Sequence, residues 1–247
     1  MKNLEDFIYP TQKKLFKQLC KKYKEQSLAC KGNFLLVKGV APVMLISHLD
    51  TVHEEPVSCI CKSSDGNIWM SPQGVGGDDR CGVYALATIY DLADKKPWLL
   101  FTCDEEIGGL GAQMFCKAHA LNKLPSELDE LKFLVEIDRR GRNDAVYYDC
   151  DNPEFEDYIF GKGFVTAHGS FSDISFIAPE LGVAAVNLSS GYYNAHSRHE
   201  FINRSELETT IEKVCEMVAD AALDDFPTVK YCDGYDYDEY FLPPDGE

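Results

Sequence analysis

Histidine and carboxylate side chains recur along this chain in five short segments whose order and types suit the binding of cations and the movement of protons. The first is Ser47-His48-Leu49-Asp50, directly after the apolar run Val43-Met44-Leu45-Ile46. On an extended backbone His48 and Asp50 point to the same side, so the carboxylate can orient the imidazole. Next comes the glycine-rich stretch 74–82, in which Asp78 and Asp79 sit among glycines that let the backbone turn tightly, and a carboxylate there can bridge two cations. Glu105 and Glu106 follow the apolar run 98–102. Adjacent carboxylates point in different directions, so one can bind a metal while its neighbour handles the proton of a water. Asp138 ends the run Phe133-Leu134-Val135-Glu136-Ile137, and His196 lies in a loop before the last amphipathic segment.

A lone histidine is usually structural and an acidic pair is usually solvated surface. The conjunction carries the reading: two histidines, several carboxylates and a spare glutamate, each at the end of an expected strand or the start of a loop, where open α/β sheets place their ligand sites. Imidazole and carboxylate donors suit zinc, with cobalt or manganese as substitutes.

The pattern His-x-Asp, glycine-rich Asp, Glu-Glu, Asp, His, from about Val43 to Phe201, resembles that of the co-catalytic zinc exopeptidases, which include bacterial leucyl aminopeptidase, peptidase T and the carboxypeptidase G relatives. The resemblance implies a site for two zinc ions. In it, His48 and Asp138 hold one ion and Glu106 and His196 the other, Asp78 bridges them, Asp50 supports His48, and Glu105 is the general base. The choice of Asp78 over Asp79 rests on the Gly-x-Asp-Asp form of the motif in peptidase T. Ser172-Asp173 also resembles an element preceding the last ligand in this group, but a helix cap is the preferred role for Asp173. His168 and His199 fall outside the pattern and are expected to be structural. Tyr192 or Tyr193 is a candidate for an oxyanion contact or an aromatic wall.

The elements that must position these residues alternate between strand and helix. Apolar residues at Leu4, Phe7, Ile8, Leu15, Phe16 and Leu19 predict helical turns broken near Pro10, packed outside a sheet. Strands are expected over 34–38, 43–47, 98–102, 133–137 and 183–188, the first two joined by a turn at Gly39 and Pro42. A hairpin is expected between 58–62 and 68–71. Helices are expected over 81–92, 109–121, 152–160 and 173–181, with a long closing helix over 205–223 capped by Ser205. The fold class is therefore α/β, a single-domain mixed central sheet covered by helices on both faces, like that of the zinc aminopeptidases and the phosphorylase/hydrolase-like folds. Residues 1–223 form the expected catalytic domain, and 224–247, acidic and aromatic, an extended tail. The stretches from His48 to Asp78 and from Asp138 to His196 are too short for the inserted β-domain or the lid domain of larger members, so no lid is expected.

Composition sets the outer limits. The 247 residues, with 45% hydrophobic and 26% charged, are those of an ordinary globular chain. A net charge of −17 argues against nucleic acid, whose phosphates need a basic footprint, and against anionic membranes. Ten scattered cysteines without a Cys-x-x-Cys pair, and a charged first twenty residues, predict reduced thiols, no secretory signal and a cytoplasmic setting. Cys59 and Cys61 would share a strand face. The expected activity is hydrolysis of an amide bond in a small peptide, most simply as an aminopeptidase. Arg80, Arg139, Arg140, Arg142 and Arg198 keep open an N-acyl amino acid deacylase or carboxypeptidase, and a non-catalytic binding protein of the same fold is the further alternative.

Overall fold

The computed structural model describes residues 1–30, 32–148 and 152–232. Its centre is an eight-stranded sheet, and the strands that run through the middle are short and apolar on both faces. β3 (Ala41–His48) lies between β6 (Pro97–Thr102) and β7 (Phe133–Arg139), and β10 (Ala185–Ser189) follows β7, all four parallel. Antiparallel strands close the two ends. β2 (Phe34–Val37) joins β6 and carries β1 (Ser27–Cys30); β8 (Asp144–Val146) joins β10 and carries β9 (Val165–Thr166) in parallel.

Side chains that alternate along these strands feed two separate cores, as the two-residue strand period requires. Val43, Leu45, Leu99, Phe101, Phe133 and Val135 pack to one side with α1 (Glu5–Ile8), α2 (Gln12–Lys22), α3 (Gly77–Leu92), α5 (Pro153–Gly161) and α7 (Arg204–Ala221). Met44, Ile46, Trp98, Leu100 and Leu134 pack to the other with α4 (Leu110–Ala120) and α6 (Ile174–Leu181). Helices thus cover both faces, as expected, and no separate lid is present among the described residues. None of the described helices is long and apolar enough to cross a membrane.

Three local expectations are corrected. The runs at 34–38 and 43–47 are strands but not neighbours, because β6 lies between them. The connection crosses the start of β6: the amides of Val40 and Ala41 both donate to the carbonyl of Lys96, and a Cβ on Gly39 would stand 2.3 Å from the Pro97 carbonyl carbon. The closing helix is capped by Asn203 rather than Ser205, its side chain accepting from the amide of Glu206. Asp173 stands at the N-cap position of α6 but makes no capping bond. Its carboxylate is fully buried and instead accepts from the hydroxyl of Thr102 at the end of β6.

The expected hairpin forms as β4 (Cys61–Lys62) and β5 (Ile68–Met70), and belongs to a second, four-stranded sheet with β11 (Tyr192–Tyr193) and β12 (Phe201–Asn203). Cys59 and Cys61 are exposed free thiols. After α7 the chain stays on the body: Phe226 packs on Phe133 and Tyr158, and Lys230 bridges to Val183. The rest of the expected tail, 233–247, lies outside the described residues.

Candidate metal centre

Adjacent parallel strands bring three of the five segments together at their carboxyl ends. His48 closes β3, in register with Thr102 of β6, so Glu105 and Glu106 emerge beside it; Asp138 sits near the end of β7, the other neighbour of β3. Asp78 arrives at the N-terminus of α3 and His196 in the loop between β11 and β12. His48 Nε2 is 3.1 Å from Asp78 Oδ1, 3.5 Å from Asp138 Oδ1 and 3.9 Å from Glu105 Oε2. His196 Nε2 is 3.2 Å from Asp78 Oδ2 and 3.1 Å from Glu106 Oε1. The two carboxylate oxygens of Asp78 therefore face different imidazoles.

Asp50 ties the first and third segments together. One oxygen lies 3.3 Å from His48 Nδ1 and accepts from the Glu105 amide at 3.1 Å; the other accepts from the Glu106 amide at 3.0 Å. An Nδ1–H donating to Asp50 leaves Nε2 of His48 with its lone pair toward Asp78 and Asp138.

The aspartate pair divides its labour, across a cis peptide bond. Asp79 is fully buried, accepts from the Ser47 hydroxyl through Oδ2, and from the Gly82 amide at 2.9 Å through Oδ1. Two glycines permit this packing. A Cβ on Gly82 would meet the Ile137 carbonyl at 2.1 Å, and one on Gly77 the Tyr192 Cβ at 2.6 Å.

The electrostatics are those of carboxylates crowded out of water. Burial, reinforced by Asp78, raises Asp138 well above the usual carboxylate range. Burial also pushes Glu105 up to about 7 against the opposing pull of His48, and it raises Glu106 with help from Asp78. Burial opposes the charged imidazole of His48, yet Asp138, Asp50 and Asp78 prevail and raise its pKa. Hydrogen bonding to Asp78 lifts His196 to about 9. Asp78 is held low by the two histidines in spite of its burial.

The donor set fits divalent cations. His48, Asp78 and Asp138 form one group, Asp78, Glu106 and His196 another, and His48, Glu105 and Glu106 a third, with ligand atoms within 4.8 Å of one another in each. Oε1 of Glu106 is buried and faces His196 Nε2 at 3.1 Å. Negative charge so concentrated needs protons or cations to balance it, and these are the oxygen and nitrogen donors that zinc takes.

Other residues singled out in the sequence separate clearly. Tyr192 enters the site, its hydroxyl donating to the Asp138 carbonyl at 3.2 Å and lying 3.4 Å from Asp138 Oδ1. Tyr193 turns away, donating to Glu206 and stacking on Phe201. His168, expected to be structural, lines the cleft, as do Arg139 and Arg140; His199 is exposed and outside it. Arg80 is buried and donates to the carbonyls of Phe7 and Pro10, so it fastens α1 to the body and does not face the cleft. Sequence reasoning missed Glu200. Fully buried, it accepts from the amides of Gly76 and Asp78 at 2.7 and 3.0 Å and contacts His53 Nε2 at 2.8 Å. A single glutamate four positions past His196 carries no pattern of its own.

No family model and no curated protein matches the chain. Solved structures share its fold. A tripeptidase from Staphylococcus aureus superposes with a TM-score of 0.66 at 14% identity, over 89% of this chain and 96% of that one. Aminopeptidase PepT from Bacillus cereus gives 0.63 at 15%, over 90% and 99%. A TET aminopeptidase from a marine-sediment Thaumarchaeota archaeon gives 0.64 at 11%, over 88% and 95%. At such identities the likeness is one of fold, and at that level the resemblance seen in the motifs holds.

Proposed function

We propose that this chain is a two-zinc hydrolase of amide bonds, an aminopeptidase acting on small peptides. The observation that carries the reading is the convergence of His48, Asp78, Glu106, Asp138 and His196 in one cluster at the cleft, where Asp78 is shared by a group with His48 and Asp138 and a group with Glu106 and His196, and Glu105 stands beside them in a further group with His48 and Glu106. His48 and Asp138 would hold one ion, Glu106 and His196 the other, with Asp78 between. Bound there, the pair of ions would supply Lewis acidity and make water acidic enough to deprotonate near neutral pH.

The chain's own residues do the rest. Glu105, buried and with its pKa pushed up to about 7, is suited to take a proton from the attacking water and return it to the leaving nitrogen. Asp50 fixes the backbone of Glu105 and the imidazole of His48 at once, so base and ligand keep a constant relation. The Tyr192 hydroxyl stands at the edge of the same site, where it limits the position of Asp138. The crowd of carboxylates also favours a substrate ammonium, which an aminopeptidase must bind.

Metal analysis tests the first half: the purified protein should hold two zinc equivalents, lose hydrolysis on chelation and recover it with zinc or cobalt. Matched peptides test the second. Free amino termini should be cleaved with higher kcat/KM than N-acetylated forms. Equal rates, or preference for the acetylated form, would put the N-acyl amino acid deacylase or carboxypeptidase reading in front, which Arg139 and Arg140 at the cleft favour.

A further inference from the structure

The cleft is chemically two-sided. Its volume is about 680 Å³, and besides the carboxylates its lining includes Arg139, Arg140 and His168. Arg139 and His168 are tied together on this side, Arg139 Nη2 donating to the His168 backbone carbonyl at 3.1 Å. In a chain of net charge −17, arginines beside a nest of carboxylates are the local exception to the general field.

Most cations at the cleft are already engaged. His196 faces Asp78 and Glu106, and Arg139 bonds His168 and lies 3.6 Å from Asp144. Arg140 differs. Its carbonyl accepts from the Ser189 hydroxyl at 2.8 Å, which fixes its backbone just past β7, while its guanidinium has no hydrogen-bond or ion-pair partner among the described residues. A fixed backbone and an uncommitted planar cation, facing a cavity, make a receptor for a carboxylate.

We infer that Arg140, with His168, receives the terminal carboxylate of the substrate, so that the site selects di- and tripeptides with both termini free. The inference rests on the peptidase reading of the same site. Two residues of extended chain carry the backbone ~7 Å from Asp138 to Arg140. An extended peptide advances ~3.5 Å per residue, so a carboxylate one or two residues beyond a carbonyl held near Asp138 comes within the arginine's reach. A longer peptide would bring an uncharged amide there instead. The carboxylate nest takes the ammonium and Arg140 the carboxylate, so length is measured by charge at both ends.

The test uses a tripeptide such as Leu-Gly-Gly and its C-terminal amide, both with free amino groups. Zinc-loaded wild type should show a KM for the acid ~10–100-fold below that for the amide, the range for one charge-assisted contact, with similar kcat. Arg140→Ala should raise KM for the acid alone and erase the difference; Arg140→Lys should restore part of it. Binding is measured in parallel by calorimetry on Glu105→Gln, in which turnover is suppressed, with and without Arg140→Ala. Equal affinity for acid and amide in Glu105→Gln, or an equal loss for both ligands when Arg140 is replaced, overturns the inference. If neither peptide is hydrolysed by wild type yet the acid still binds more tightly through Arg140, the peptidase reading fails while the carboxylate site stands.

Discussion

The carboxylate of Glu200 holds the backbone amide of Asp78 at 3.0 Å, although the two residues are 122 positions apart. Its other oxygen holds the amide of Gly76 and meets His53. One buried side chain thus ties the loop carrying His196 to the loop carrying Asp78, and so sets where the carboxylate facing both histidines can lie. Glu200→Ala leaves two buried amides without an acceptor and frees Asp78 to shift. Loss of such supporting contacts typically costs 10–100-fold in metal affinity. Zinc competition titration should show a loss of that order, with the fold retained by circular dichroism. Unchanged zinc affinity would reduce Glu200 to a packing residue.

Much of the site could be read from the sequence because its parts are contiguous. His48-x-Asp50, Glu105-Glu106 and Asp138 each follow an apolar run, and in a parallel sheet the ends of neighbouring strands meet. Glu200 could not be read, since its significance comes only from two amides brought to it by the fold. The second sheet was equally hidden apart from its hairpin: β11 and β12 are two and three residues long, too short for any period to register. The order of strands was also beyond reach. Gly39 marked a turn between two strands, but only the contact with Pro97 shows that the turn steps across a third.

The two aspartates at the start of α3 should separate cleanly by mutation. Asp78 faces both imidazoles, whereas Asp79 faces the Ser47 hydroxyl and the Gly82 amide. Asp78→Ala should therefore abolish binding of both zinc equivalents together. Asp79→Asn can still accept from Gly82 and donate to Ser47, and burial already favours the uncharged form of Asp79, so it should keep both metals. Elemental analysis after saturation and desalting decides. Loss of both ions from Asp79→Asn with retention in Asp78→Ala would exchange the two roles.

Glu105→Gln preserves shape and removes the proton acceptor. Zinc content should stay at the wild-type value, because Asp78 with His48 and Asp138, and with Glu106 and His196, remains to hold the ions. Proton transfer by a placed side chain is worth ~10²–10⁴-fold, so kcat should fall at least that far. Near-normal turnover would move the base to another residue.

Protons and metal ions compete for this cluster, and the competition fixes how stability depends on pH. In metal-free protein the raised carboxylates, among them Glu105 at about 7 and Asp173 at about 6, contribute stability that is complete below the ordinary carboxylate pKa of ~4 and is lost as pH rises through their folded values. The raised histidines act in the same sense at higher pH: their contribution is present below ~6.5 and is lost as pH passes about 9, the value for His196. Asp50 and Asp78 are depressed and act oppositely, but their contribution is lost only in acid, as pH falls below ~4. Between pH 5 and 9 the metal-free protein should therefore lose stability steadily. Divalent ions bind the deprotonated ligands, so their stabilisation grows over the same interval. Thermal unfolding followed in EDTA and in excess zinc, at half-unit steps from pH 5 to 8.5, should show Tm falling in EDTA and the gap between the two curves widening. A gap that stays constant or narrows with pH would mean that the carboxylates and histidines of this cleft are not the groups the metal displaces protons from.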